Sequence, residues 1–251
     1  MPGSPSVELW MIDLDRWAET SLDPTSLPAA DRQAAARLQD PVASLRLLAR
    51  RSATRAVLAG GLGGDPATLV IERRCPTCGS DQHGRPSLGP GDPGYRADPP
   101  DRIHPEFSVS SSDGTAVVAV STRPVGVDLE VERPTVAPLP VALTPNERLR
   151  VGALGPDQAG PAFLRLWTAK EAVLKASGRS LADDPATVEV GGLLDHDVAV
   201  VVDGTGTWTV RHLALEDPAG QRVILAVADG GGGGGPLSWR WLSPEGAPPS
   251  G

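Results

Sequence analysis

Lysine is almost missing from this chain: 251 residues hold 2 lysines against 21 arginines. Cysteine is nearly as scarce, with only Cys75 and Cys78, too few for a disulfide framework. No basic-then-apolar opening segment and no long apolar run are present, which argues against a secretory leader or a membrane span and for a cytoplasmic protein. Positive charge is in deficit overall, with a net charge of −8 and a pI near 5.0. That excludes a general nucleic-acid binder, because phosphate neutralisation needs surplus base, but leaves room for a small anion held by a local basic patch. Aromatic residues make up only 4% of the chain, yet apolar residues reach 40% and recur in blocks, so the chain reads as ordered, with loops. Its length allows one large core or two ordinary domains.

The two lysines lie together in Trp167-Thr-Ala-Lys170-Glu171-Ala-Val-Leu-Lys175. In so arginine-rich a chain this suggests a need for a compact, titratable ammonium that the planar guanidinium cannot replace. An ordinary solvated helix face explains the same spacing.

Residues 7–11 read as a strand, and residues 31–60 carry a helical pattern broken at Pro41, where a second helix starts. On that helix Arg46, Arg50 and Arg55 fall near one face, with Arg51 beside them, as an anion site or a solvated surface. Residues 69–71 suggest a short strand and residues 87–105 a loop rich in Pro, Gly and Asp. Residues 107–110, 116–121 and 125–131 read as consecutive strands in antiparallel hairpins. Thr144-Pro145-Asn146-Glu147 has the form of a capping box opening a helix, and residues 161–177 form the best-defined helix, ended by Gly178. Residues 187–190, 198–202, 208–213 and 223–228 suggest a meander. Six glycines, 230–235, then lead to a last strand at 237–242 and a disordered tail from 243. The pattern is α+β: two similar halves, 1–124 and 125–242, each a small antiparallel sheet with helices, related by a pseudo-twofold.

Asp128 and Glu130 alternate with Val127, Leu129 and Val131, so both carboxylates face one side of a strand. They repel unless a cation such as magnesium lies between them; a solvated edge strand is the plainer explanation. Glu171 and Lys175 stand one helical turn apart, like many surface ion pairs. Together the three carboxylates, the lysine, the basic helix and a serine-rich turn resemble a site for a metal-bound pyrophosphate. Cys75 and Cys78 look like half of a zinc knuckle, which would need His83 and a fourth ligand such as Asp81 or a second chain; a tight turn with two free thiols is the plainer explanation.

Phe107-Ser-Val-Ser110-Ser111-Ser, Gly126-Val-Asp128-Leu-Glu130 and Trp167-Thr-Ala-Lys170-Glu171-Ala-Val-Leu-Lys175, in that order, resemble the 4′-phosphopantetheinyl transferases of the surfactin-synthetase-activating type. His83-Gly84-Arg85-Pro86 is similar to that family's Gly-Lys/Arg-Pro segment, and residues 46–55 to its coenzyme A helix. The resemblance spans about residues 31–182. It implies transfer of phosphopantetheine from coenzyme A to a serine of an apo acyl or peptidyl carrier protein, releasing adenosine 3′,5′-bisphosphate. By the same resemblance Asp128, Glu130 and Glu171 bind magnesium, Glu171 accepts the serine proton and Lys175 neutralises the leaving phosphate. Arg46, Arg51, Arg85, Ser110 and Ser111, with Lys175, hold the coenzyme A phosphates. Larger family members serve polyketide and nonribosomal peptide synthesis in secondary metabolism.

Ser108 and Ser111 depart from the family's Asn and His, the latter a 3′-phosphate contact, and a neutral hydroxyl holds an anion less strongly than a charged donor. A relative that binds without transferring, or a magnesium-dependent phosphohydrolase, are the alternatives. The expected carrier-docking segment is residues 131–143, exposed and apolar beside Glu130. A monomer is expected, since two halves pair within one chain.

Overall fold

The near-continuous apolar run in β1 (Val7–Asp13) marks a strand covered on both faces. Val7, Leu9 and Met11 face one buried cluster and Trp10 and Ile12 another. The computed structural model describes residues 6–74, 79, 84–89, 105–133, 136–179, 184–231 and 234–243. Cys75, Cys78, His83 and the residues after 243 lie outside them, and with them the zinc knuckle and the tail.

Around β1 a mixed sheet forms in the order β10-β1-β5-β4, with β4 (Glu106–Ser112), β5 (Thr115–Ser121) and β10 (Leu237–Trp241). A second, antiparallel sheet runs β6-β9-β8-β7, with β6 (Val125–Val131), β7 (Val198–Asp203), β8 (Gly206–Glu216) and β9 (Arg222–Gly230). A small ribbon pairs β2 (Ile71–Arg74) with β3 (Arg85–Leu88). Val117, Leu129, Leu225 and their neighbours fill the space between the two large sheets.

Each large sheet carries one long helix on its outer face. Residues α1 (Leu14–Thr20) and α2 (Ala29–Ala36) precede α3 (Pro41–Leu62), which starts where Asp40 accepts from the Val42 amide and ends at left-handed Gly63. Ala49, Ala53 and Val57 of α3 pack on the first sheet. On the second, α4 (Pro145–Gly152) opens with the expected capping box of Thr144 and Glu147, and α5 (Pro156–Ala176) packs Leu166, Ala169 and Val173 against Val210, Ala226 and Ala228.

Three expectations are corrected. Helix α5 begins at Pro156, with Pro161 inside it. Pro156 sits where a helix needs no amide hydrogen, and at Pro161 the ring forfeits only one bond in the second turn. Strand β6 does not form a hairpin with β5 but leads the second sheet, Val125 pairing with Asp229. Residues 187–190 are not a strand: Pro185–Thr187 is a 3-10 turn, after which Val188 and Val190 enter the core under α5. Strand β10 also returns to the first sheet, parallel to β1, so the last strand of the chain joins the sheet built by the first half.

Candidate functional site

Gly126 sets the site. A Cβ there would lie 2.0 Å from the Ala172 carbonyl oxygen and 2.4 Å from the Ala176 amide nitrogen, so only glycine lets α5 lie directly on β6. That contact brings Glu171 and Lys175 to the face of β6 bearing Asp128 and Glu130. Lys175 Nζ stands 2.6 Å from Asp128 Oδ1 and 3.2 Å from both Ser110 Oγ and the Val127 carbonyl.

Strands β4 and β6 are edges of different sheets, and serine hydroxyls bridge them. Ser108 Oγ accepts from the Val127 amide at 3.1 Å, Ser110 donates to Asp128 Oδ1 at 2.8 Å, and Ser112 donates to Glu130 Oε2 at 2.8 Å. Alternation turns Ser111 the other way, towards α3, where Arg50 Nη1 donates to its Oγ at 2.7 Å.

The carboxylates are short of positive charge. Burial first, and then Asp128 and Glu130, push Glu171 up to about 7, against the pull of Lys175. Burial raises Glu130 as well, opposed by its bond from Ser112 and reinforced by Asp128. Asp128 Oδ2 and Glu171 Oε1 are buried without a hydrogen-bond partner. Hard, unpartnered oxygens of this kind suit magnesium, so the donor set fits the ion in kind. As placed, no three such groups among the described residues converge tightly enough to cage one, and Lys175 holds the Asp128 oxygen that faces it.

Beside this cluster opens a cavity of about 450 Å³ between α3, the β2-β3 ribbon, β4 and the end of α5. Arg50, Arg51, Arg73, Arg85, Arg179 and Lys175 line it. Arg51 and Arg55 share Asp31 at 3.6 and 3.5 Å, Arg85 pairs with Glu106, and Arg179 pairs with Asp203 at 2.7 Å. Of the residues singled out from sequence, Asp128, Glu130, Glu171, Lys175 and Ser110 come together, Arg51 and Arg85 line the cavity, and Ser111 adjoins it through Arg50. Arg46 does not: it pairs with Asp15 at 2.6 Å in a separate hollow with Asp13 and Asp113. Sequence reasoning left Arg73 and Arg179 unmentioned and placed Arg50 on the basic face read as an anion site or a solvated surface; the signal for Arg179 was its place just past Gly178.

Lys170 also stands elsewhere. It is fully buried on the opposite side of α5, with Nζ 2.7 Å from Glu147 Oε2 and 3.0 Å from the Pro185 carbonyl, and bonded to the Val188 carbonyl. Burial lowers its pKa and Glu147 opposes that shift.

Residues 124–228 match the model of the 4′-phosphopantetheinyl transferase superfamily. The chain is 29% identical to the 4′-phosphopantetheinyl transferase HetI of Nostoc sp. over 95% of its own length and 93% of the relative's. It is 34% identical to a 4′-phosphopantetheinyl transferase of Bacillus subtilis over 30% of this chain and 34% of that one. The Synechocystis sp. protein slr0495, provisionally named for the same activity, is 29% identical over 71% of this chain and 67% of its own.

Proposed function

We propose that this enzyme, a member of the 4′-phosphopantetheinyl transferase superfamily, is of the surfactin-synthetase-activating type. It moves phosphopantetheine from coenzyme A to a serine of an apo acyl or peptidyl carrier protein, as a monomer and with magnesium. The observation that carries the reading is Lys175, which joins the buried carboxylates to the arginine-lined cavity.

The nucleotide enters the cavity, where Arg51 and Arg85 meet its phosphates and Lys175 faces the diphosphate. Glu171, its pKa near 7, takes the proton of the carrier serine. The serine oxygen then bonds to the phosphorus bearing pantetheine, and the bond from that phosphorus to the bridging oxygen breaks. Its electron pair leaves on adenosine 3′,5′-bisphosphate, where the Lys175 ammonium stabilises the new charge. Asp128, Glu130 and Glu171 would hold magnesium, which when bound supplies positive charge to the diphosphate.

The carrier docks on the apolar segment between β6 and α4. Leu139 and Val141 are exposed there, and Leu149 in the following helix α4 is 76% exposed. Exposed apolar groups of this size mark contact surfaces. Val141→Asp with Leu149→Asp should raise KM for the carrier several-fold and leave KM for coenzyme A unchanged; an equal rise in both would remove the docking assignment.

The transfer itself is tested by intact mass spectrometry of an apo carrier incubated with the enzyme, coenzyme A and magnesium chloride. A gain of about 340 Da, the phosphopantetheine arm, is the expected result. Coenzyme A cleaved with no gain in carrier mass would make the chain a hydrolase, and binding with neither event would make it a non-catalytic relative.

A further inference from the structure

Strands β4 and β6 belong to different sheets and share no ladder. The Glu132 amide donates to the Arg222 carbonyl at 2.8 Å, so even-numbered residues along β6 turn their backbone groups to β9. The amides of Val127 and Val131 therefore turn the other way, towards β4. A buried amide without an acceptor is costly. Serine hydroxyls of β4 answer both, Ser108 Oγ at 3.1 Å from the Val127 nitrogen and Ser112 Oγ at 3.3 Å from that of Val131.

The three serines facing β6 differ in what else they touch. Ser110 bonds Asp128 and Lys175 within the carboxylate cluster. Ser108 meets only the backbone of β6 and lines the cavity. Ser112 is buried and stands outside the cavity lining. A hydroxyl has one hydrogen to give. With the Ser112 oxygen engaged by the Val131 amide, that hydrogen goes to Glu130 Oε2 at 2.8 Å. Among the described residues Glu130 accepts no other hydrogen bond, so this bond sets where the carboxylate stands and leaves Oε1 open. A glutamate side chain ordered in advance loses less freedom when it takes a ligand.

We propose that Ser112 is a positioning residue for Glu130, tying this carboxylate to β4 so that its open oxygen stands ready for a divalent cation beside Asp128. The inference rests on the metal role proposed for Asp128, Glu130 and Glu171 and deepens it: one hydroxyl both joins the two sheets and orders a ligand of the ion.

The test is titration of Mn²⁺ into the whole protein saturated with coenzyme A, followed by the electron spin resonance of free Mn²⁺. Ser112→Ala should raise the Kd for Mn²⁺ about tenfold and raise the magnesium concentration that half-saturates transfer by a similar factor. Ser112→Thr keeps the hydroxyl and should stay within about twofold of wild type. Ser108→Ala removes an equivalent amide bond without touching a carboxylate, and should leave the Mn²⁺ Kd within about twofold. In a Glu130→Gln background, Ser112→Ala should add less than about twofold. Should Ser112→Ala fold poorly, Ser112→Cys, close in size but a weak donor, should show the same rise at several-fold. An unchanged Kd in Ser112→Ala, or equal rises in Ser112→Ala and Ser108→Ala, would overturn the proposal while leaving the transferase reading in place. If the wild-type protein with coenzyme A bound took up no Mn²⁺, the metal reading would fall and the proposal with it.

Discussion

The two lysines of α5 stand in opposite environments. Around Lys170 every group is answered: its ammonium reaches Glu147 and two carbonyls, and Glu147 accepts from the Thr144 and Val190 amides as well. Around Lys175 the ledger of partners stays open, with one oxygen each of Asp128 and Glu171 buried and unpartnered. A satisfied buried network fixes architecture, here the joining of α4 and the 185–190 segment to α5. An unsatisfied one is kept at a cost to stability and is explained by what it binds.

The largest effect should come from breaking the closed side. Lys170→Met leaves Glu147 charged and buried without its partner and should cost about 3–5 kcal/mol in urea unfolding. The double variant Lys170→Met, Glu147→Leu removes the unpaired charge but takes the acceptor from the Thr144 and Val190 amides, so it should recover only part of that loss. A single variant as stable as wild type would show that the pair is not what locks α4 to α5.

Next in size is Gly126→Ala, which forces α5 off β6 against backbone atoms 2.0 and 2.4 Å away. A loss of about 2–3 kcal/mol is expected, together with loss of transfer, because both faces of the site separate. Wild-type activity in a folded Gly126→Ala protein would mean that close approach is not needed.

Changing the open side should act in the opposite direction. Glu171 has its folded pKa raised from 4.5 to about 7, so the folded chain resists its ionisation and stability falls as pH climbs through that window. In metal-free buffer at pH 8, Glu171→Gln should therefore gain about 1–2 kcal/mol, while transfer drops by about 10²–10³-fold. Below pH 4.5 the stability difference should vanish. A destabilised Glu171→Gln at pH 8 would place Glu171 with the structural residues.

How much of this was legible in the sequence follows the range of the interactions. Thr144 and Glu147 cap α4 within four residues, and local spacing revealed them. So did the pairing of Asp128 with Glu130 on one face of β6. The partner of β6 is β9, with Val125 opposite Asp229, and β10 lies parallel to β1, with Val7 opposite Leu237; nothing local specifies pairings so distant. Pro161 misled because a proline inside a first or second turn looks like a helix start. Which arginines of α3 face the cavity depends on how the helix is rolled on the first sheet. The roll sends Arg46 to Asp15 and leaves Arg50 at Ser111, a choice that spacing alone cannot make.

The contrast between the two sides of α5 is tested most directly by single-turnover transfer to an apo carrier protein, comparing Lys175→Met with the double variant Lys170→Met, Glu147→Leu. The account expects Lys175→Met to remain folded and lose about 10²-fold or more in rate, and the double variant to transfer at close to the wild-type rate. A double variant that folds but is inactive, beside a Lys175→Met protein that still transfers normally, would contradict it.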